Sequence, residues 1–112
     1  PEVSDFAFGS VINIQDTVQI AVSTGGRSPA MARRLRMQAE KVFKKLIKKE
    51  DIYQIKLQDF ARRAAKIKLA TFPERKKFLY QVMNDNRIKQ LIADGNLKKA
   101  QKQVIEMLGG LN

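Results

Sequence analysis

The sequence predicts an α+β fold in which two β-strands precede about five α-helices. Residues 6–23 are rich in β-branched and apolar residues, and their second half alternates between apolar and polar positions, as half-buried strands do. From Ser28 onward, apolar residues recur every three or four positions, which is the spacing of amphipathic helices. Because an isolated two-stranded sheet is only marginally stable in water, we expect strands from a dimer partner or an upstream domain to complete it.

The predicted strands cover residues 6–14 and 17–23, with Gln15 and Asp16 in the turn between them. Phe6 and Phe8 belong to the first of these strands, and their packing partner is not identifiable from the sequence. A domain rarely begins so close to a strand, and we therefore expect the chain to be part of a longer protein. We divide it into residues 1–49, which hold the strands and a long helix, and residues 50–112, which form a small helical domain.

The first helix is predicted over residues 28–49. Its apolar stripe is predicted to consist of Met31, Leu35, Ala39, Val42 and Leu46, and its basic side of Arg33, Arg36, Lys44 and Lys48. A second helix is predicted to begin near Glu50 and Asp51. Its predicted stripe contains Tyr53, Leu57, Phe60, Ala64 and Ile67, and its other faces carry Arg62, Arg63, Lys66 and Lys68.

Capping residues predict the three remaining helices. Thr71 and Glu74 form a capping box, Asp85 with Asn84 can cap a short helix that ends at Gly95, and Asn96 can cap the last helix, which Gly109 and Gly110 stop. The predicted inward residues are Phe78, Leu79, Val82, Met83, Ile88, Leu91, Ile92, Leu97, Ala100, Val104 and Leu108. We interpret Tyr53, Phe60 and Phe78 as core residues rather than as stacking platforms for a ligand.

Composition restricts the chemistry that this chain can perform. It has no cysteine and no histidine, which excludes disulfides, thiolate chemistry, histidine-based catalysis and the usual structural zinc sites within the 112 residues. No apolar run approaches the length of a membrane span, and we expect a cytoplasmic location without membrane contact. The net charge is +11, and all 22 basic residues follow Gly26. This asymmetry indicates an anionic partner, although lysine-rich faces can also serve solubility alone.

The stretch Thr24-Gly25-Gly26-Arg27-Ser28 joins the second strand to the first helix. Adjacent glycines permit a sharp turn, while Ser28 and Pro29 suit the cap and first position of a helix. Free N–H groups at the helix start attract anions, and the Arg27 guanidinium is suited to binding a carboxylate or phosphate. A tight turn with a well-capped helix remains the simpler interpretation, because the stretch matches neither a Walker A loop nor a GxGxxG motif.

The string from Ile20 to Arg36, I-A-V-S-T-G-G-R-S-P-A-M-A-R-R-L-R, resembles the siroheme synthase family. Residues 1–6, P-E-V-S-D-F, and residues 72–78, F-P-E-R-K-K-F, extend this resemblance over nearly the whole chain. More narrowly, the chain is similar to the precorrin-2 dehydrogenase and sirohydrochlorin ferrochelatase module of that family. The similar parts are its central dimerisation region and its small helical domain.

The resemblance implies a homodimer that binds a tetrapyrrole, either precorrin-2 or sirohydrochlorin. The family oxidises precorrin-2 with NAD in a Rossmann domain that precedes this region, and some members insert ferrous iron. This chain has no GxGxxG, and the family's catalytic aspartate would lie upstream of Pro1, so we expect no NAD site, no catalytic residue and no activity from these residues alone. Thr24 matches a serine or threonine of the family's tetrapyrrole cleft, and we assign substrate binding to Thr24, Gly25, Gly26, Arg27 and Ser28.

Two other functions are compatible with the sequence. A basic nucleic-acid-binding module would explain the charge, but the basic residues spread over all the helices and no nucleic-acid-binding motif is present. A structural dimerisation module without a ligand would explain why the two predicted strands have no further sheet partner in the chain. It would not explain the Gly-Gly-Arg-Ser-Pro turn. We favour the tetrapyrrole hypothesis over both.

Overall fold

The computed structural model describes residues 10–110, and Phe6 and Phe8 lie outside this range. Two antiparallel strands precede five helices, which confirms the predicted α+β class. The elements are β1 (Val11–Ile14), β2 (Val18–Ala21), α1 (Pro29–Leu46), α2 (Lys49–Lys68), α3 (Phe72–Asn84), α4 (Asn86–Ala93) and α5 (Leu97–Gly109). They form two compact units, Pro1–Lys48 and Lys49–Asn112.

The two strands form a hairpin in which Ile12 is paired with Ile20 and Ile14 with Val18. Both Gln15 and Asp16 have positive φ, at 50° and 52°, and the Thr17 N–H donates to the Ile14 carbonyl at 3.0 Å. Positive φ at both central positions matches the right-handed twist of the strands, as in type I′ turns. The predicted turn is therefore confirmed.

The second strand is shorter than predicted. It ends at Ala21 rather than at residue 23, because Ser23 already belongs to the following turn, where its hydroxyl accepts the Gly25 N–H at 3.0 Å. In the first strand, regular pairing among the described residues begins at Val11, and residues 6–9 of the prediction lie outside them. Alternation was predicted for the second strand, and it is confirmed there, since Val18 and Ile20 are half-buried and Gln19 and Ala21 exposed. The first strand alternates as well, with Ile12 and Ile14 buried.

Helix α1 begins as predicted and ends earlier. The Ser28 hydroxyl accepts the Met31 N–H at 3.2 Å, and Pro29 occupies the first turn. The helix ends at Leu46 rather than at residue 49, because Ile47 adopts an extended backbone with φ −89° and ψ 109°. Arg36 was predicted on the exposed basic side, but only 18% of its side chain is exposed, because it lies one turn after the buried Ala32.

Residues 49–112 have their own hydrophobic core, to which all four of their helices contribute. Phe78 on α3 is its largest buried side chain, and Tyr53 and Phe60 pack against the cluster, as predicted for these aromatic residues. The buried members of the cluster are Leu57, Ala61, Ala65, Leu69, Phe78, Val82, Ile88, Ile92, Ala100, Val104 and Leu108.

Two predicted core residues face solvent instead. Ile67 is 91% exposed, because the row of α2 that faces the core is Leu57, Ala61 and Ala65. At 3.6 residues per turn, Ile67 lies almost on the opposite side of the helix from Ala65. Alanines at two positions of the row leave room for close approach of a neighbouring helix. Met83 is 40% exposed, because Phe78 and Val82 supply the buried face of α3.

The predicted caps of the last three helices are confirmed. The Thr71 hydroxyl accepts the Glu74 N–H at 3.3 Å and lies 2.7 Å from the Glu74 carboxylate. The Asp85 carboxylate accepts the Ile88 N–H at 2.9 Å, and the Asn96 side chain accepts the Lys99 N–H at 3.1 Å. Each cap satisfies an N–H that has no partner within its own helix.

Candidate functional site

The turn between β2 and α1 is organised by the Thr24 side chain. Its hydroxyl accepts the Ser28 N–H at 2.9 Å and donates to the Ser28 carbonyl at 3.1 Å. The Thr24 carbonyl also accepts the Arg27 N–H at 3.3 Å. Thr24 is therefore half-buried and occupied with its own turn, so it shapes the predicted site rather than presenting a free hydroxyl to a ligand.

The two glycines adopt conformations that other residues rarely occupy. Gly25 has a φ of 67° and Gly26 a φ of 79°. No atom lies within 4 Å of the position that a Cβ would take at Gly26. The glycines are thus required by backbone conformation, and Gly26 leaves the outer side of the turn open to a ligand.

Two backbone N–H groups at this turn are available to an anion. Within residues 10–110, the N–H groups of Gly26 and Ala30 donate no hydrogen bond, while those of Gly25, Arg27, Ser28 and Met31 are all engaged. The Arg27 side chain is exposed and forms no ion pair in the same part of the chain. A helix N-terminus with free N–H groups and a guanidinium nearby is suited to a carboxylate.

A basic concavity continues from this turn along α1. It has a volume of about 520 Å³, and Ala30 lies at its border. Its cationic side chains include Arg33, Arg34 and Lys41, and Met37, which is 53% exposed, adds apolar surface. The sequence predicted Arg33 on the basic side, but it gave no signal that Ala30 and Met37 would share a concave surface with the arginines.

The apolar stripe predicted on α1 is largely exposed. Met31 and Leu35 are each 43% exposed, and Val42 and Leu46 are 62% and 63% exposed. The helix buries only Ala32 fully, while Ala39 and Phe43 are half-buried. The three-to-four spacing therefore identified an apolar face correctly, but this face does not pack in the core of the chain.

A charged cluster occupies the middle of α1. Glu40 accepts hydrogen bonds from Lys44 and Arg36, with N···O distances of 3.0 Å and 2.8 Å. These hydrogen bonds hold the pKa of Glu40 below its ordinary value, and the bond from Lys44 has a larger effect than the bond from Arg36. Glu40 stays ionised and neutralises cations on the half-buried side of α1, a pairing that the sequence analysis missed although the i,i+4 spacing indicates it.

Within residues 10–110 we looked for the features of three other kinds of site: a metal site, a membrane-spanning helix and a Rossmann dinucleotide site. No group of three or more acidic residues is close enough to hold a metal ion. None of the helices in this range is long and apolar enough to span a membrane. The two described strands form an antiparallel hairpin, whereas a Rossmann dinucleotide site is built on parallel strands with a glycine-rich turn.

Comparison with known proteins bears directly on this turn. Residues 15–38 match the family model described as "Sirohaem biosynthesis protein central". Over 108 residues the chain is 29% identical to a siroheme synthase of Citrobacter koseri, an alignment that covers 96% of the chain and 22% of the relative. The chain is similar to the siroheme synthase family. It spans about a fifth of the length of this relative, so the activity of a whole siroheme synthase is not assigned to these 112 residues.

The family match coincides with the part of the structure that carries the predicted site. It begins at the turn of the hairpin, includes β2 and Thr24–Ser28, and ends in the first half of α1. The substrate-binding role of Thr24, Gly25, Gly26, Arg27 and Ser28 stays a prediction, to which the structure adds the N–H of Ala30.

Proposed function

We propose that this chain supplies tetrapyrrole-binding and dimerisation elements to an enzyme of siroheme biosynthesis. The observation that carries the proposal is that the family match at residues 15–38 includes a turn with two free backbone N–H groups and a basic helix face. The ligand would be a polycarboxylate tetrapyrrole, precorrin-2 or sirohydrochlorin, as the family resemblance implies.

The chemistry of the turn favours binding and orientation over proton transfer. Backbone N–H groups of Gly26 and Ala30 and the Arg27 guanidinium would hold one carboxylate arm. Arg33, Arg34 and Lys41 would receive further arms along α1. No acidic side chain belongs to residues 23–30, so the turn has no general base of its own.

Oxidation of precorrin-2 with NAD, and insertion of ferrous iron as a substrate, are what the resemblance implies for the complete enzyme. We assign neither step to residues 10–110, whose two strands form an antiparallel hairpin rather than a Rossmann sheet. The resemblance assigns none of the residues of this chain to the catalytic aspartate that the family uses. The contribution proposed here is to bind the tetrapyrrole by its carboxylates.

The proposed dimer rests on the exposed face of α1. Met31, Leu35, Val42 and Leu46 form a continuous apolar stripe on one helix, and such stripes mark association surfaces. A second copy of the chain would cover this face and could extend the two-stranded sheet. The hairpin and α1 lie in the same compact unit, so one interface could use both.

Binding of uroporphyrin, a stable tetrapyrrole polycarboxylate, tests the ligand. We expect the chain to quench or shift uroporphyrin fluorescence saturably. Arg27→Gln should weaken binding by roughly ten- to a hundredfold, since a lost charge-assisted hydrogen bond is worth roughly 1.5–3 kcal/mol. Arg87→Gln on α4 removes the same charge from the other compact unit and should change the affinity less than about twofold.

Two outcomes would contradict the proposal. If the Arg27 and Arg87 variants lost affinity for uroporphyrin equally, net charge alone would attract the ligand. Duplex DNA that binds the chain more tightly than uroporphyrin, with a steep salt dependence, would instead support the nucleic-acid-binding alternative.

A further inference from the structure

A groove lies between α2 and α5 in the helical unit. Its volume is about 570 Å³, within the range of small-molecule sites. Phe60 of α2 and Ile105 of α5 give it apolar walls. Phe60 is half-buried and Ile105 is 50% exposed, so both keep apolar surface available to a ligand.

The polar lining of the groove is asymmetric in charge. Lys98 and Lys102 lie one helical turn apart, and neither forms an ion pair with another residue of the range 10–110. Two like charges at this spacing repel each other. Glu106 follows one turn after Lys102 without a salt bridge to it, so the groove has a basic end and an acidic end.

The position of the lysines in α5 adds to this imbalance. Lys98 lies in the first turn of the helix, which contains no acidic residue. A cation near a helix N-terminus opposes the helix dipole. An anion bound between the two lysines would therefore relieve repulsion that the chain itself leaves uncompensated.

We propose that this groove is a second binding site, for a small amphipathic carboxylate. The apolar body of the ligand would lie on Phe60 and Ile105, and its carboxylate would be held by Lys98 and Lys102. Gln101, which is half-buried in the lining, can donate a further hydrogen bond from its amide. The inference does not depend on tetrapyrrole binding at residues 24–30, because all lining residues belong to the helical unit.

Titration of the 112-residue chain with 1-pyrenebutyrate, followed by fluorescence anisotropy, tests the site. We expect saturable binding, a loss of at least tenfold in affinity in the double variant Lys98→Glu/Lys102→Glu, and a smaller loss in Ile105→Ser. The control Lys76→Glu/Lys77→Glu makes the same change of charge on exposed positions of α3 and should change affinity less than twofold. The neutral alcohol 1-pyrenebutanol should bind at least tenfold more weakly than the acid.

Amide chemical-shift mapping locates the ligand. Shifts confined to α2 and α5 support the proposal, and shifts centred on α1 would overturn it. The assignment of the carboxylate to the lysines would be overturned if the two double variants lost affinity for 1-pyrenebutyrate equally. It would also be overturned if the wild type bound 1-pyrenebutanol as tightly as 1-pyrenebutyrate. Citrate or an acidic peptide competing as strongly as 1-pyrenebutyrate would overturn the role of the apolar walls.

Discussion

The Thr24 hydroxyl binds both backbone groups of Ser28, accepting its N–H at 2.9 Å and donating to its carbonyl at 3.1 Å. This pair of hydrogen bonds fixes the turn in which the proposed carboxylate site lies. The Ser28 carbonyl has a second partner, the Ala32 N–H at 3.0 Å, whereas Thr24 is the only partner of the Ser28 N–H within residues 10–110. Loss of the hydroxyl therefore affects the N–H most.

Thr24→Val should destabilise the chain by about 1–2 kcal/mol, because a half-buried N–H loses its acceptor while the side-chain volume stays nearly constant. Urea denaturation measures the change. Thr24→Ser keeps the hydroxyl and should stay within about 0.5 kcal/mol of the wild type. If the valine variant were as stable as the serine variant, the hydrogen bonds to Ser28 would contribute nothing.

Gly26→Ala should destabilise the chain by about 1 kcal/mol, because the alanine would have to keep a left-handed backbone at φ 79°. The space around Gly26 is open, so backbone strain rather than a clash would cause the loss. Gly109→Ala is the matched control, because Gly109 ends α5 without positive φ and also has open space. Thermal denaturation should show no loss in this control and a lower Tm in Gly26→Ala.

Val42→Asp should abolish the proposed dimer, because it places a charge in the middle of the exposed apolar stripe of α1. Sedimentation velocity of the wild type at micromolar concentration should show a dimer, and the variant should sediment as a monomer. Ile67→Asp makes the same kind of change at an apolar residue that is 91% exposed on α2, and it should leave the dimer intact. A monomeric wild type would refute the dimer.

Lys44→Gln should raise the pKa of Glu40, because the Lys44 hydrogen bond is the main cause of its lowering. The lowered pKa means that the folded chain favours ionised Glu40. Its stabilising contribution is complete above the pKa of the unfolded chain and is lost as the pH falls through the folded-state value. A carbon-detected NMR titration of the carboxyl group measures the shift.

Lys45→Gln is the control for that titration. Lys45 lies next to Lys44 but is not among the causes of the shift, so its removal should leave the pKa of Glu40 nearly unchanged. If both variants raised the pKa equally, the general positive charge of α1 would be responsible instead of the hydrogen bond.

Local features of the sequence determined most of the element order. Ser28, Thr71, Asp85 and Asn96 were identified as helix caps because a side-chain oxygen and its N–H partner lie within three residues of each other. The two positive-φ glycines after Thr24 were predictable for the same reason, since their conformations are set by the turn itself. The motif around them was also sufficient to indicate the similarity to the siroheme synthase family.

The burial of each helix face was decided by tertiary structure. The same three-to-four spacing occurs in the α1 stripe and in α5, yet Val42 is 62% exposed and Val104 is fully buried. Spacing fixes which residues share a face, but only the packing of other elements decides whether that face is covered. Likewise, Phe60, Lys98 and Lys102 line the same groove only because α2 packs against α5, since Phe60 is distant in the sequence from the two lysines.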